Sequence, residues 1–208
     1  MSVHEWQDLF VKQFLHVDAL QWAILILGVL EVLLAKSNNT LLYPAGIAAT
    51  TLAIYSLFTA QLYAECVLHL YYIIMSIYGW LHWAFEKNVA PVTVMFANAN
   101  EWIISLVIIF GGWAALYFAL ITFTPSTVPV WDAWVSSTAW AGTWLLTRRK
   151  VENWILLNVS NAFAIPLLFY KELPLFAVLT IFLFVVACGG YIDWVKIARK
   201  AVLQKNLA

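Results

Sequence analysis

The sequence predicts an all-α integral membrane protein. Seven transmembrane helices form a 3+1+3 parallel repeat of triple-helix bundles, preceded by a short interfacial helix. Three observations predict this class. First, the 208 residues are 64% hydrophobic and only 11% charged, with a mean hydropathy of +0.85. Ordinary soluble domains are about 25% charged and about 45–50% apolar, so a soluble fold of this size has no interior large enough for so much apolar surface. Second, the apolar residues gather into seven runs near the length that crosses a bilayer, about 20 residues each. Third, a motif recurs. Tyr78-Gly79-Trp80-Leu81-His82-Trp83 closes one run and Gly189-Gly190-Tyr191-Ile192-Asp193-Trp194 closes another, with Gly79 on Gly190 and Trp83 on Trp194 at an offset of 111.

The elements follow in order. In residues 1–18, Trp6, Phe10, Phe14 and Val17 recur at helical spacing, while Glu5, Asp8, Lys12 and Gln13 lie elsewhere around the helix. This reads as an amphipathic helix on the external membrane surface, with a frayed terminus as the alternative. The charged residues ahead of the first apolar run, and the missing A-x-A site after it, do not suit a cleaved signal peptide. The spans are 19–35, 42–58, 62–84, 102–123, 128–147, 153–169 and 174–195. A short break at Thr59-Ala60-Gln61 parts the second from the third. Pro174 suits the first turn of the seventh.

Loop charge tests the count. With seven spans, Lys36, Lys87, Arg148, Arg149, Lys150, Lys196, Arg199, Lys200 and Lys205 all fall on one side, nine of the eleven basic residues. Only Lys12 and Lys171 fall on the other. The positive-inside rule then places the C-terminus in the cytoplasm and the N-terminus outside. The same offset puts Tyr43 on Trp154, Ile47 on Asn158 and Tyr63 on Pro174. The chain accordingly divides into an interfacial helix (1–18), a first three-helix bundle (19–85), a loop and linker helix (86–127), a second three-helix bundle (128–197) and a cytoplasmic tail (198–208). Paired bundles of this kind suggest a transporter, because they create a central site able to face either side.

Polar residues inside a bilayer are costly and usually face a bundle interior or a cavity. The third span carries Glu65, His69, Tyr72, Ser76, Trp80 and Trp83 at steps of 4, 3, 4, 4 and 3, near one helix face. Such a stripe can line a substrate path. Glu65 and the two tryptophans can instead sit in the interfacial belts. The sixth span carries Trp154, Asn158 and Asn161, again on one face, followed by Pro166, which kinks or breaks a helix. An aromatic ring one turn from an amide can stack on a flat solute and hydrogen-bond its substituents. The alternative for both asparagines is bonding between helices. Glu31, about 7.5 Å along the helix from Lys36, reads as a shallow charge reaching the cytoplasmic interface rather than as a proton carrier. Asp193 beside Lys196 is read the same way.

Net charge is zero, so nothing points to nucleic acid. Cys66 and Cys188 lie in apolar runs and read as small core residues rather than a disulfide or metal pair. Glu65 and His69 form an i, i+4 acid–histidine pair inside an apolar run, without a third ligand nearby. No H-E-x-x-H, G-x-S-x-G or Walker loop occurs. The expectation is no catalytic residue, no metal and no cofactor.

These residues resemble the PnuC family of bacterial vitamin transporters. The resemblance covers about residues 20 to 197. It is carried by Ser76-Ile77-Tyr78-Gly79-Trp80-Leu81-His82-Trp83 and by Arg149-Lys150-Val151-Glu152-Asn153-Trp154 leading into Asn158, with Tyr43-Pro44-Ala45-Gly46 and Tyr191-Ile192-Asp193-Trp194 in support. It implies a three-plus-one-plus-three fold with the solute between the bundles, in a multi-pass protein of the bacterial inner membrane. It also implies uptake of nicotinamide riboside by facilitated diffusion, product trapping by a cytoplasmic kinase, and, for some members, a homotrimer. Thiamine or another vitamin is the alternative cargo within the family. A membrane metalloenzyme and a non-transporting scaffold are the alternatives outside it. Carried over onto this chain, Trp154 and Asn158 match one motif and Trp80 and Trp83 the other. The first half departs from the family at Leu41-Leu42-Tyr43-Pro44 and at His82. Both candidate vitamins join a flat cationic ring to hydroxyl-bearing groups. Trp80, Trp83 and Trp154 can meet the ring, Asn158, Asn161, Tyr72, Ser76 and His69 the polar groups, and Glu65 the charge. Gly111-Gly112 is a small-residue patch suited to close helix contact.

Overall fold

The protein's structure, a computed structural model, describes residues 3–59, 63–85 and 93–207. Among these, eight helices appear: α1 Val3–His16, α2 Ala19–Lys36, α3 Leu42–Thr59, α4 Tyr63–Phe85, α5 Ala99–Phe123, α6 Pro129–Thr147, α7 Asn153–Tyr170 and α8 Pro174–Leu207. They fall on the predicted apolar runs in order. Five of them (α2, α3, α5, α7 and α8) are long and apolar enough to cross a membrane. Helices α4 and α6 carry more of the polar side chains, among them His69, Ser76, Asp132, Ser137 and Thr143. Large apolar side chains such as Ile26, Ile74, Val107, Phe118 and Val185 are exposed on the outside, as a lipid-facing surface requires.

Two ends differ from expectation for identifiable reasons. Helix α5 begins at Ala99 rather than 102 because Asn98 and Glu101 form a capping box: the Asn98 side chain accepts from Glu101 N, and the Glu101 carboxylate accepts from Asn98 N, both at 2.9 Å. Helix α8 does not stop at 195. The expected tail continues it to Leu207, since Ala198, Ala201 and the intervening charged residues are good helix formers and no Gly or Pro interrupts them. At α-helical rise it is about 51 Å long, well beyond the roughly 30 Å hydrocarbon layer. Pro166 lies inside α7, and the helix continues past it to Tyr170.

Neighbours in sequence pack as neighbours in space: α2 on α3, α3 on α4, α6 on α7 and α7 on α8. Helix α5 lies along α6, and the contacts α2–α8 and α4–α6 join the two sets. Tyr71 ties the second seam, stacking on Trp140 at 4.5 Å while its hydroxyl donates to the Trp140 carbonyl at 2.8 Å. Helix α1 rests on the start of α8. Trp6 meets Phe169 edge-on, and the Gln13 amide donates to the Glu172 carbonyl.

The repeat is written in contacts as well as residues. Tyr43 lies against Gly79, where a Cβ would come 2.6 Å from its Cζ, and meets Trp83 edge-on at 5.1 Å. Trp154 lies against Gly190, where a Cβ would come 2.7 Å from its Cε2, and meets Trp194 edge-on at 5.7 Å. Trp83 Nε1 donates to the Thr147 carbonyl at 2.9 Å; Trp194 Nε1 donates to the carbonyls of Ala35 at 3.2 Å and Lys36 at 3.3 Å. Thr147 stands 111 residues after Lys36, so each closing tryptophan reaches the end of the first helix in the other half. Asn38 and Arg149, also 111 apart, both adopt a φ of 52° at the turns that follow those helices.

These residues gather at the end of the bundle that holds Lys36 and Arg148–Lys150, here the basic end. Leu42, Tyr43, Trp83, Val94, Val151, Trp154 and Trp194 form one buried cluster there. The strand-like segment 93–98 is held beneath it. Met95 N donates to Arg149 O at 3.1 Å, Val151 N donates to Met95 O at 3.0 Å, and Ala97 N donates to Glu152 Oε2 at 2.8 Å. Residues 86–92, including Lys87, lie outside the described residues.

Candidate functional site

Above the basic-end cluster lies a cavity of about 340 Å³, lined by residues of α2, α3, α4, α6 and α7. Its volume falls within the range of small-molecule sites, about 300–1,000 Å³. Apolar pairs from the two halves line it, Gly28 with Ala139 and Ala35 with Leu146, each pair 111 apart. Its polar groups are Glu31, Thr50, His69, Tyr72, Ser76 and Thr143, with Trp154 as the second large ring.

Of the sequence-predicted site residues, His69, Tyr72, Ser76 and Trp154 line this cavity together. The α4 stripe therefore reaches it over two turns. His69 and Tyr72 are in edge contact with centroids 6.1 Å apart. Trp83 lies below, fully packed into the basic-end cluster with its N–H on Thr147. Trp80 is 44% exposed and is not among the cavity's lining residues. Two successive steps of four rotate it about 80° past Tyr72, which explains the divergence. Asn158 lines a separate groove between α7 and α8, which Trp154 also lines, and donates to Cys188 Sγ at 3.3 Å. Asn161 is half-buried on the same helix. The side chain of Glu65 lies outside the described residues. Cys66 is buried and donates to the Ile54 carbonyl, but Cys188 is exposed in the α7–α8 groove rather than in a core.

Three buried polar atoms on α7 have no hydrogen-bond partner among the described residues, Asn153 Oδ1, Trp154 Nε1 and Asn158 Oδ1, and the last two belong to residues that line the cavity and the neighbouring groove. A buried donor or acceptor left unmade costs about 1–3 kcal/mol, so such atoms mark places where a solute gains by bonding.

Glu31 is the residue that sequence reasoning placed elsewhere. It lines the cavity, against Gly46 of α3. Lys36 is not its partner; Lys36 forms an ion pair with Asp193 at 3.9 Å and lies against Gly189. The signal was present in the spacing. Ile24, Gly28, Glu31 and Ala35 share one face at steps of 4, 3 and 4, whereas a step of five turns Lys36 about 140° away.

The basic motif before α7 has a different job. Lys150 Nζ lies 3.2 Å from Glu101 Oε1, with both side chains more than 90% buried, and Arg148 lies 3.8 Å from the same oxygen. Glu152 holds segment 93–98 through Ala97. Arg149 stacks its guanidinium 3.6 Å from the Trp83 ring centre, and burial pushes its pKa below the usual arginine value, opposed by the Tyr43 hydroxyl. At the opposite end, Asp132 joins Lys171 at 2.6 Å and accepts from Ser126 at 2.7 Å.

Residues 18–196 match the family described as nicotinamide mononucleotide transporter. The chain is similar to the nicotinamide riboside transporter PnuC of Escherichia coli K12, at 24% identity over 201 residues that cover 84% of each chain. The PnuC of Shigella flexneri matches to the same extent. A crystal structure of the vitamin B3 transporter PnuC shares the fold, with a TM-score of 0.70 at 21% identity over 94% of this chain and 88% of that one. With nearly the whole helical bundle inside the family match, the protein is a multi-pass membrane transporter rather than an enzyme, and it belongs to the nicotinamide mononucleotide transporter family.

Proposed function

We propose that this protein carries nicotinamide riboside across the bacterial inner membrane by facilitated diffusion. The observation that carries the reading is the cavity itself: one carboxylate, hydroxyls from Ser76, Thr50 and Thr143, and the rings of Tyr72 and Trp154, enclosed in a bundle with a greasy exterior. A flat cationic ring joined to a sugar asks for these groups. The names of the curated relatives point the same way. Seven spans in a 3+1+3 arrangement are supported by the contacts that recur at 111 residues, and nine basic residues on one side support an external N-terminus and a cytoplasmic C-terminus. In this reading the basic-end cluster closes the cytoplasmic side. The two bundles alternate access by breaking the Trp83 and Trp194 bonds, and a cytoplasmic kinase traps the product. Gly111 has open space around it on α5, which suits a homotrimer contact.

The test is calorimetric binding of nicotinamide riboside and thiamine to the purified protein, followed by flux into liposomes. Binding of the riboside without thiamine supports the reading. The reverse assigns the cavity to thiamine. Binding without flux would end the transport reading, and binding of neither would end the substrate reading. Trp154→Ala is expected to weaken riboside binding by at least about tenfold, since ring contacts with a cation contribute about 0.5–2 kcal/mol and more when desolvated. Asn158→Ala is expected to have a smaller effect, because its amide lies in the neighbouring groove. Unchanged binding and uptake in correctly inserted Trp154→Ala protein would remove Trp154 from the site.

A further inference from the structure

We infer that Glu31 is the specificity-determining residue for ligand charge, so that the cavity accepts a solute carrying a fixed positive charge on a flat ring and rejects its neutral counterpart. This rests on the reading that the ligand occupies the central cavity.

The geometry isolates this carboxylate. Among the described residues that line the cavity there is no lysine or arginine, and Glu31 is the sole aspartate or glutamate. The nearest base in sequence, Lys36, is held by Asp193 on α8. The room for Glu31 is made by Gly46, where a Cβ would come 2.6 Å from the Glu31 Cδ. The second half builds the same helix contact in reverse. At the offset of 111, Gly142 stands for Glu31 and Leu157 for Gly46, and a Cβ on Gly142 would come 2.9 Å from Leu157 Cγ. One half thus puts an acid on its first helix over a glycine on its second. The other puts a leucine on its second helix over a glycine on its first. Only one side of the cavity is acidic.

An ionised carboxylate in such surroundings costs several kcal/mol unless a cation or hydrogen-bond donors answer it. A soluble cation that enters the cavity supplies the missing charge, and Tyr72 and Trp154 add aromatic faces suited to a delocalised positive ring. A neutral ring of the same shape gains the stacking but brings the carboxylate no counter-charge, leaving it only the hydroxyl and imidazole groups of the cavity wall.

The experiment compares nicotinamide riboside with its 1,4-dihydro form, which has the same size but no ring charge. Both are titrated by calorimetry into the full chain and into Glu31→Gln, an isosteric change. Wild-type protein is expected to prefer the cation by at least about tenfold, the scale of one charge-assisted contact. In Glu31→Gln that preference is expected to collapse to within about threefold through loss of cation affinity, the neutral form being unaffected. Gly46→Ala, which pushes the carboxylate out of its seat from a different helix, is expected to weaken the cation more than the neutral form. If the wild type binds the cation and Glu31→Gln keeps the preference, or loses both ligands equally, Glu31 is not the charge selector. If the wild type binds neither compound, the substrate reading falls and this inference falls with it.

Discussion

Glu101→Gln is expected to be the most destabilising single change of charge in this protein, by about 3–5 kcal/mol, the range for removing one partner of a buried ion pair. The glutamine keeps the shape and can still accept from the Asn98 N–H, so the α5 cap survives in part. What it removes is the counter-charge 3.2 Å from Lys150, whose side chain is only 9% exposed. Arg148 is partly in water and tolerates the loss. Lys150 must either stay charged without an anion or pull out of the junction where segment 93–98 crosses beneath α6 and α7. For a chain of this length each kcal/mol moves the melting temperature by about 2–4 °C, so thermal unfolding in detergent resolves the effect easily. The double variant Glu101→Gln with Lys150→Met is expected to recover most of the loss, since replacing both charges with groups of similar volume is often near neutral. A single variant that melts like its parent would show that this pair contributes no stability.

The second large effect concerns two glycines that hold aromatic rings. In Gly190→Ala the new Cβ would come 2.7 Å from both Cε2 and Cζ2 of Trp154. That ring is 1% exposed and already wedged against Trp194, so it has nowhere to go. Alanine gains up to about 1 kcal/mol of helix propensity over glycine, and overpacking costs about 1–3 kcal/mol or more; with contact this close the clash wins. Gly79→Ala meets Tyr43 in the same way and is expected to cost a similar amount. The two should part in function. Trp154 lines the cavity and Tyr43 does not, so Gly190→Ala is expected to lose both stability and ligand affinity, while Gly79→Ala loses stability with affinity retained. Gly28→Ala, with nothing within 4 Å, is the stability control and should melt at or above the parent temperature. Equal binding by the Gly79 and Gly190 variants would break the link between Gly190 and the site.

The helices were legible because their chemistry is one-dimensional. An apolar run of a given length is a helix wherever it sits in a bilayer, and α2, α3, α4, α6 and α7 begin and end within about a residue of their expected limits. The offset of 111 was legible at Gly79 and Gly190 because each glycine stands four residues before a tryptophan at the close of an apolar run. What it meant, a ring seated on each glycine and an indole N–H crossing to the other half, needed coordinates. The misreading of Glu31 came from weighing distance along the sequence to Lys36 above direction around the helix. Segment 93–98 was invisible for a different reason. Its partners, Arg149 to Glu152, lie more than 50 residues away, and no local periodicity reports a pairing of that kind. The same gap made Arg149 to Trp154 look like one functional string, when its charged members brace the junction and only Trp154 reaches the cavity.

A duplicated frame has a difficulty with unlike-ended cargo. If both halves presented the same groups, a solute with a charged ring at one end and a sugar at the other would fit equally well in two opposed poses. The exchange of acid and glycine on one side for glycine and leucine on the other gives the chamber a head and a tail. That polarity depends on having one copy of each half. Two first halves would bring two acids together, and two second halves would bring none. Joining the halves through α5 in a single polypeptide fixes their ratio at one to one, so a fused chain can keep a lopsided chamber that free half-sized subunits would scramble.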